Sequence, residues 1–236
     1  MTKKIYINPG HSDRDPGAVG YETERELNVK VSNYQKEYLL ANYDCEVRMN
    51  PGSLGDLKAI AEDANNWGAV LFVANHNNAG GGNGWEGLVY SEKNVPLGKI
   101  FEKYVKEAGQ NSRGVKLRPG LAVLRLTHMP AILNEGAFVD NWDDIKDWND
   151  DAELKKLGIA YAKATAEAAK LDKKAVTPAP APAPTPAAPT TSGSMYRVFN
   201  AAGVQVGAYR EEANALNEVK KQLQACGKVT ITLSEK

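Results

Sequence analysis

The sequence predicts an α/β fold in which a mostly parallel or mixed sheet of about six strands is flanked by helices. One observation leads to this prediction, and two more lead to the division of the chain into parts. Short apolar runs alternate with longer segments whose apolar residues recur at helical spacing, and the alternation continues over about 170 of the 236 residues. A proline-rich segment then separates this large part from a short tail. The tail predicts a small α+β module in the order β-β-α-β.

Six strands and four helices are predicted in the large part. Apolar or alternating runs place the strands at residues 3–8, 44–49, 69–74, 87–90, 121–125 and 131–134. Apolar residues at helical spacing place the helices at residues 27–38, 54–67, 97–108 and 154–168. About 170 residues are enough to bury a hydrophobic core, so we expect residues 1–174 to form one domain.

Residues 175–194 differ in composition from the rest of the chain. They contain six of the twelve prolines and no charged or aromatic side chain. Because proline is excluded from helix interiors and central strands, an extended linker is predicted here, with an SH3-type ligand as the alternative. In the tail, residues 196–199 and 204–209 predict a hairpin, which a helix over 211–225 and a strand over 229–233 follow.

The charge balance and the apolar content limit the classes of function. Lys plus Arg and Asp plus Glu number 29 each, so no net charge attracts nucleic acid or an acidic membrane. Two cysteines are too few for a disulfide framework. No run reaches the ~20 apolar residues of a membrane span, and the first residues lack the apolar core of a signal peptide. We expect neither nucleic acid nor membrane as a partner, and synthesis in the cytoplasm without an export signal.

Two of the three histidines directly follow predicted strands. His11 comes after the Asn-Pro-Gly that ends the first strand, and His76 comes after the Leu-Phe-Val-Ala-Asn run of the third. Sites in open α/β sheets form beyond the carboxyl ends of strands, so both imidazoles should reach the same edge. A lone histidine more often has a structural role, whereas two at equivalent strand ends leave both roles open.

Two carboxylates could complete a site at this edge. Glu135 ends the Ala-Ile-Leu-Asn run of the last strand, where solvation alone does not explain an acidic residue. Glu24 opens the first long helix, although the helix dipole also favours an acidic residue there. Two histidines and one glutamate can bind zinc and leave a fourth position for water, whose proton a second carboxylate can accept.

Five groups of residues carry a family resemblance. In chain order they are Asn8-Pro9-Gly10-His11 with Asp15-Pro16-Gly17-Ala18, Glu24-Arg25-Glu26-Leu27-Asn28, Asn75-His76-Asn77-Asn78-Ala79, Arg113-Gly114-Val115-Lys116, and the PAILNEGAF segment at 130–138. In order and spacing these motifs resemble the zinc-dependent N-acetylmuramoyl-L-alanine amidases of the type-3 amidase family, over nearly all of residues 1–172. Asn8 and Asn134 depart from the residues common in that family without removing a ligand.

The resemblance implies both a reaction and a site. The amide between N-acetylmuramic acid and L-alanine of peptidoglycan would be hydrolysed, with Zn²⁺ held by His11, Glu24 and His76 and with Glu135 as the catalytic carboxylate. A lytic domain, a spacer and a targeting module without an export signal fit a phage or prophage endolysin that is released through holin pores. The alternatives are a host autolysin or sporulation amidase, a zinc-dependent deacetylase or peptidase, and a non-catalytic wall-binding protein.

Further residues have open roles. Glu22 and Glu26 are alternative zinc ligands, although the ligand in the family stands four residues before an asparagine, as Glu24 does. Asn78, Trp85 and His128 are candidate substrate-binding residues, with packing or loop roles as the alternatives.

The tail, residues 195–236, resembles the short C-terminal wall-binding module of Bacillus-type phage amidases. Within it, residues 204–209 resemble the first half of a sporulation-related repeat that binds glycan strands. Such a repeat is about twice as long, so one copy would need a partner. The expected partners are therefore peptidoglycan and a second copy of the chain, bound through residues 195–236.

Overall fold

A computed structural model describes residues 2–174, 195–199, 205–209, 214–217, 219–220 and 230–234. The chain divides into two compact units, Met1–Ala175 and Val176–Lys236. The predicted linker lies outside the described residues. Among the residues that are described, no helix is both long and apolar enough to cross a membrane.

A mixed six-stranded sheet forms the centre of the first unit. Its strands are β1 Lys3–Pro9, β2 Cys45–Met49, β3 Leu71–Asn78, β4 Trp85–Val89, β5 Ser112–Leu117 and β6 Ala131–Phe138. Their order across the sheet is β2-β1-β3-β6-β4-β5, and all neighbouring pairs are parallel except β4 and β6. The predicted α/β class and the predicted strand number are confirmed.

Helices pack on both faces of this sheet. They are α1 Glu24–Asn42, α2 Leu57–Trp67, α3 Val95–Glu107, α4 Ala122–Leu126, α5 Trp142–Ile145 and α6 Asp151–Ala168, with a 3-10 turn at Glu92–Asn94. On one face, α1, α3 and α6 enclose the larger core, to which Leu27, Phe101 and Tyr161 belong. On the other face, the shorter α2 and α4 cover Tyr6 and Phe72. Asn8, His76 and Glu135 each follow a residue of this second core by two positions, so their side chains lie on the same face of the sheet.

The prediction of a strand at residues 121–125 is wrong, because these residues lie almost entirely in α4. A short apolar run has the same pattern in a buried strand and in a buried helical turn, and α4 buries Val123 and Leu124. The sixth strand is β5, which the sequence does not predict. β5 lies at the edge of the sheet, where Arg113, Gly114 and Lys116 replace the apolar pattern of a central strand.

Three strands continue beyond their predicted ends. β1 extends to Pro9, β3 to Asn78 and β6 to Phe138. Backbone pairing continues through Asn75 and His76 in β3 and through Asn134 and Glu135 in β6, although these polar residues interrupt the apolar pattern. His76 and Glu135 therefore lie within strands rather than after them.

The second unit contains an antiparallel sheet of β7 Met195–Phe199, β8 Gln205–Tyr209 and β9 Thr230–Ser234, in the order β8-β7-β9. Residues 214–217 and 219–220 are helical. These elements follow the predicted order β-β-α-β. The predicted turn at 200–203 and the rest of the predicted helix lie outside the described residues.

Candidate metal centre and active site

Three side chains meet at the carboxyl ends of β1 and β3. His11, Glu24 and His76 each offer one ligand atom, and these atoms all lie within 4.8 Å of one another. One Glu24 oxygen is 2.9 Å from His11 Nε2, and the other is 2.9 Å from His76 Nδ1. Among the described residues, this is the one group of three or more His, Cys, Asp or Glu side chains that is arranged to hold a metal ion.

Each member of the cluster comes from a different element. His11 follows β1 with a left-handed φ of 66°, Glu24 is the first residue of α1, and His76 lies in β3. Two glycines let the imidazoles approach the backbone. A Cβ at Gly10 would lie 2.3 Å from the His76 ring, and one at Gly17 would lie 2.5 Å from the His11 ring. Any larger residue at either position would displace a ring of the cluster.

Asp15 orients His11 from outside the cluster. Its Oδ2 lies 2.8 Å from His11 Nδ1, which directs Nε2 of the same ring towards Glu24. Histidines that ligate metals commonly donate their second N–H to a carboxylate, and this bond fixes the tautomer. Two imidazole nitrogens and one carboxylate are a donor set that fits Zn²⁺ and leaves a fourth position open. Asp15 stands in one of the sequence motifs, but no pattern in the sequence indicates this contact.

The pKa values of the cluster favour an ionised Glu24 and a protonated His11, so a metal cation could take the place of a proton there. Burial tends to raise the pKa of Glu24, but hydrogen bonds with His11 and His76 outweigh it and hold that pKa well below its usual range. The hydrogen bond with Glu24, supported by the one with Asp15, raises the pKa of His11 to about 9. Since histidine binds a metal in its neutral form, a bound cation would replace the proton on His11.

Glu135 lies beside the cluster on β6. It pairs with His76 across β3 and with Glu86 across β4. Its Oε2 is buried and has no hydrogen-bond partner among the described residues. Burial, and after it the charges of Glu24 and Glu86, raise the pKa of Glu135 to about 8. A carboxyl group in this setting can both accept and donate a proton near neutral pH, as a general acid–base catalyst must.

Buried amide side chains connect the cluster to the strands behind it. Asn28 donates to the backbone oxygen of Gly10 and lies 3.5 Å from Glu24 Oε1. Asn77 donates to Asn28 at 2.9 Å and accepts from the backbone N–H of Ala137 at 3.0 Å. Sequence reasoning missed both roles, although asparagines inside apolar runs are a usable signal. A second buried chain of hydrogen bonds runs from Trp85 through Asn134, Asn75 and Gln35 to Thr165.

The structure brings Glu24 to the histidines and leaves the two alternative ligands away from them. Glu22 lies half-buried in the turn before α1. Glu26 belongs to the first turn of α1, and its side chain is exposed. Neither belongs to the cluster. The assignment of Glu24 as the ligand stays a prediction, now with a geometric basis.

The three candidate substrate-binding residues occupy different environments. Asn78 is half-buried at the end of β3 and accepts a hydrogen bond from the N–H of the next residue. Trp85 is fully buried and donates its indole N–H to Asn134, so it is a core residue. His128 is exposed beyond α4, where its backbone N–H donates to Asn65.

An apolar pocket of about 250 Å³ adjoins the cluster. His11 and His76 line one side, and Leu57, Leu121 and Leu133 supply apolar surface. The pocket lies on the sheet face that α2 and α4 cover. It offers space for an uncharged part of a substrate next to the candidate metal position.

Comparison with known proteins finds one family. Residues 5–167 match Amidase_3, which is described as N-acetylmuramoyl-L-alanine amidase. Among solved structures, the catalytic domain of the amidase CwlV from Bacillus (Paenibacillus) polymyxa is similar with a TM-score of 0.68 and 26% identity, covering 72% of this chain and 100% of that one.

Three curated relatives extend the similarity. The N-acetylmuramoyl-L-alanine amidase CwlM of Bacillus licheniformis is 30% identical, over 95% of this chain and 82% of the relative. The sporulation-specific N-acetylmuramoyl-L-alanine amidase of Bacillus subtilis is 29% identical, over 90% and 77%. The endolysin of Bacillus phage SPP1 is 32% identical, over 74% and 69%.

Proposed function

This chain belongs to the N-acetylmuramoyl-L-alanine amidase family and is a peptidoglycan amidase; on that premise, we propose that His11, Glu24 and His76 hold a zinc ion and that Glu135 is the catalytic carboxylate. One observation supports this proposal most directly. Glu135, whose buried Oε2 has no hydrogen-bond partner within the described part of the chain, lies on the strand next to a cluster whose two imidazoles and one carboxylate have ligand atoms within 4.8 Å of one another.

The reaction is hydrolysis of the amide between the lactyl group of N-acetylmuramic acid and L-alanine. Zinc, when bound, supplies a Lewis acid that polarises the scissile carbonyl and strengthens water as a nucleophile. Glu135 accepts a proton from the attacking water and returns it to the alanine nitrogen as the C–N bond breaks. The products are a lactyl carboxylate and a peptide with a free amino terminus. Asp15 and Asn28 hold His11 and Glu24 in place throughout.

Digestion of purified cell walls tests this reaction. Mass analysis should show released peptides that begin with free alanine, and glycan strands that carry no new reducing ends. Metal analysis should find one zinc per chain, and a chelator should abolish the activity until zinc is restored. New reducing ends, released acetate or cleavage within the peptide would contradict the proposed bond.

For the cellular role, we propose an endolysin that lyses a bacterial host. The 32% identity to the SPP1 endolysin supports this role. A host amidase of sporulation is the second candidate, because the sporulation-specific enzyme of Bacillus subtilis matches over a larger share of the chain. Expression in growing cells distinguishes them: an endolysin should lyse these cells rapidly once the membrane is permeabilised, whereas selective activity on spore cortex would favour the second candidate.

A further inference from the structure

Charged residues form a row across the sheet next to the candidate active site. Glu135 on β6 pairs in register with Glu86 on β4, and β5 follows β4 at the sheet edge. Lys116 pairs with Leu88, two residues after Glu86, and therefore projects from the same face. The row thus leads from the catalytic carboxylate to a pair of cations on the outermost strand.

Glu86 is nearly fully buried, at 5% exposure, and one of its oxygens holds both cations. Glu86 Oε1 accepts from Arg113 Nε at 2.5 Å and from Lys116 Nζ at 2.6 Å. The guanidinium of Arg113 also lies 5.2 Å from the centre of the Phe138 ring. In the group of Glu86, Arg113 and Lys116, one carboxylate faces two cations, so these three residues together carry a net positive charge.

The two cations keep donors available for a ligand. The side chain of Arg113 is 42% exposed and that of Lys116 is 31% exposed. Within residues 2–174, the two terminal nitrogens of Arg113 make no hydrogen bond, since only its Nε is engaged. A guanidinium edge and an ammonium group held side by side on Glu86 form a strong binding arrangement for a carboxylate.

We propose that Arg113 and Lys116 form an anion subsite that binds a carboxylate of the substrate's peptide, two or three residues beyond the scissile amide. The proposal rests on the function proposed above. Neighbouring strands lie about 4.8 Å apart. The cations start from β5, two strands away from Glu135, and reach back to Glu86 on the strand between, so they stand about 5–10 Å from Glu135. An extended peptide spans about 3.4 Å per residue, which places its second or third residue at that distance.

The opposite side of the metal cluster has a different character. The apolar pocket beside His11 and His76 includes Asp15, and the described residues that line it include neither lysine nor arginine. An acidic peptide is therefore favoured on the β5 side and disfavoured on the pocket side. This assigns a direction to the substrate, with the peptide crossing β6 and β4 towards β5 and the muramyl group on the side of α2 and α4.

Paired substrates test the subsite in the zinc-loaded, full-length enzyme. The probes are MurNAc-L-Ala-D-Glu and the same compound with both carboxyls converted to amides. Arg113→Gln should raise KM for the acid about ten-fold with kcat little changed, and should leave KM for the diamide nearly unaltered. Arg113→Lys should recover part of the loss. Arg118→Gln, an exposed arginine directly after β5, is the matched control and should change neither value.

A second variant separates ligand binding from structural support. Glu86→Gln removes the charge that competes for the cations, so KM for the acid should fall or stay constant. If Arg113 and Lys116 only stabilise buried Glu86, then Arg113→Gln will affect acid and diamide equally, and the subsite is refuted. Titration of the product peptides L-Ala-D-Glu and its diamide gives the same comparison without catalysis. Hydrolysis of neither probe, together with selective binding of the acid, would contradict the catalytic function proposed above and leave the subsite intact.

Discussion

Each oxygen of Glu24 faces one imidazole nitrogen, one of His11 and the other of His76. These three side chains are the proposed ligands, so the loss of either histidine leaves two protein ligands where a zinc site of this class needs three. We expect His76→Ala to lose zinc and activity together. His128→Ala is the matched control, because His128 is exposed and does not belong to the cluster. Metal analysis after dialysis measures the effect. Stoichiometric zinc in His76→Ala would refute the ligand assignment.

Glu135 should behave differently from the cluster residues. Glu135→Gln keeps the shape of the side chain but cannot accept the proton of water, so zinc should be retained while kcat falls by about 10²–10⁴. Glu26→Gln, an exposed change on α1, should leave both properties unaltered. Zinc content and single-substrate kinetics on the same preparations are the measurements. If Glu135→Gln loses its metal instead, Glu135 is a ligand rather than a proton carrier.

The sequence predicts the residues of the site whose signal is local. His11, His76 and Glu135 interrupt or follow apolar runs, and strand ends are where α/β sheets place their sites. Asp15 and Asn28 are not predicted, because their roles depend on partners that only the folded chain brings near them. The same reason explains why spacing alone could not separate Glu24 from its acidic neighbours.

Among the elements, edge strand β5 is connected to helix α3 by one carboxylate. Glu102 on α3 accepts hydrogen bonds from Ser112 at the start of β5 and from Lys99 on its own helix. Burial tends to raise its pKa, but the hydrogen bonds from Lys99, Ser112 and Lys106 outweigh burial and lower it to about 2. The ionised form of Glu102 therefore stabilises the fold.

This connection predicts a dependence of stability on pH. The contribution of Glu102 is fully present above its ordinary pKa of 4.5 and is lost as the pH falls towards 2. At pH 7, Glu102→Gln should lower the free energy of unfolding by about 1–2 kcal/mol, and the difference should shrink below pH 4.5. Glu107→Gln, an exposed change at the end of α3, is the control. Urea unfolding at several pH values measures both variants, and a pH-independent difference would contradict the argument.

Elements are predictable from the sequence to the extent that burial shapes their composition. The central strands β1, β3 and β6 bury both faces, so their apolar runs stand out. β5 pairs on one side only, and its charged residues serve the row beside Glu86 rather than a core. α4 shows the converse case, because five residues are too few for helical periodicity to differ from a strand pattern.

At the scale of the whole molecule, the first unit should be sufficient for the chemistry. Among the described residues, Met1–Ala175 contains the two hydrophobic cores on either face of the six-stranded sheet and every member of the candidate metal cluster. We therefore expect residues 1–174 alone to bind zinc and to hydrolyse small muropeptides at the rate of the full chain. On whole walls they should act more slowly, since the tail is predicted to hold the enzyme on its substrate. Equal rates of wall lysis by the two forms would contradict a targeting role of the tail.

The tail should also determine the oligomeric state. Its sheet has the order β8-β7-β9, so β8 and β9 each pair on one side only within the described strands. Three strands are near the lower limit of independent stability, and a second copy that paired along an outer strand would extend the sheet and bury more apolar surface. We therefore expect the full chain of 25.6 kDa to form dimers and residues 1–174 to stay monomeric. Light scattering coupled to size exclusion, at micromolar concentrations, measures both masses. A monomeric full chain would refute this pairing, whereas a dimer of residues 1–174 would place the interface in the first unit.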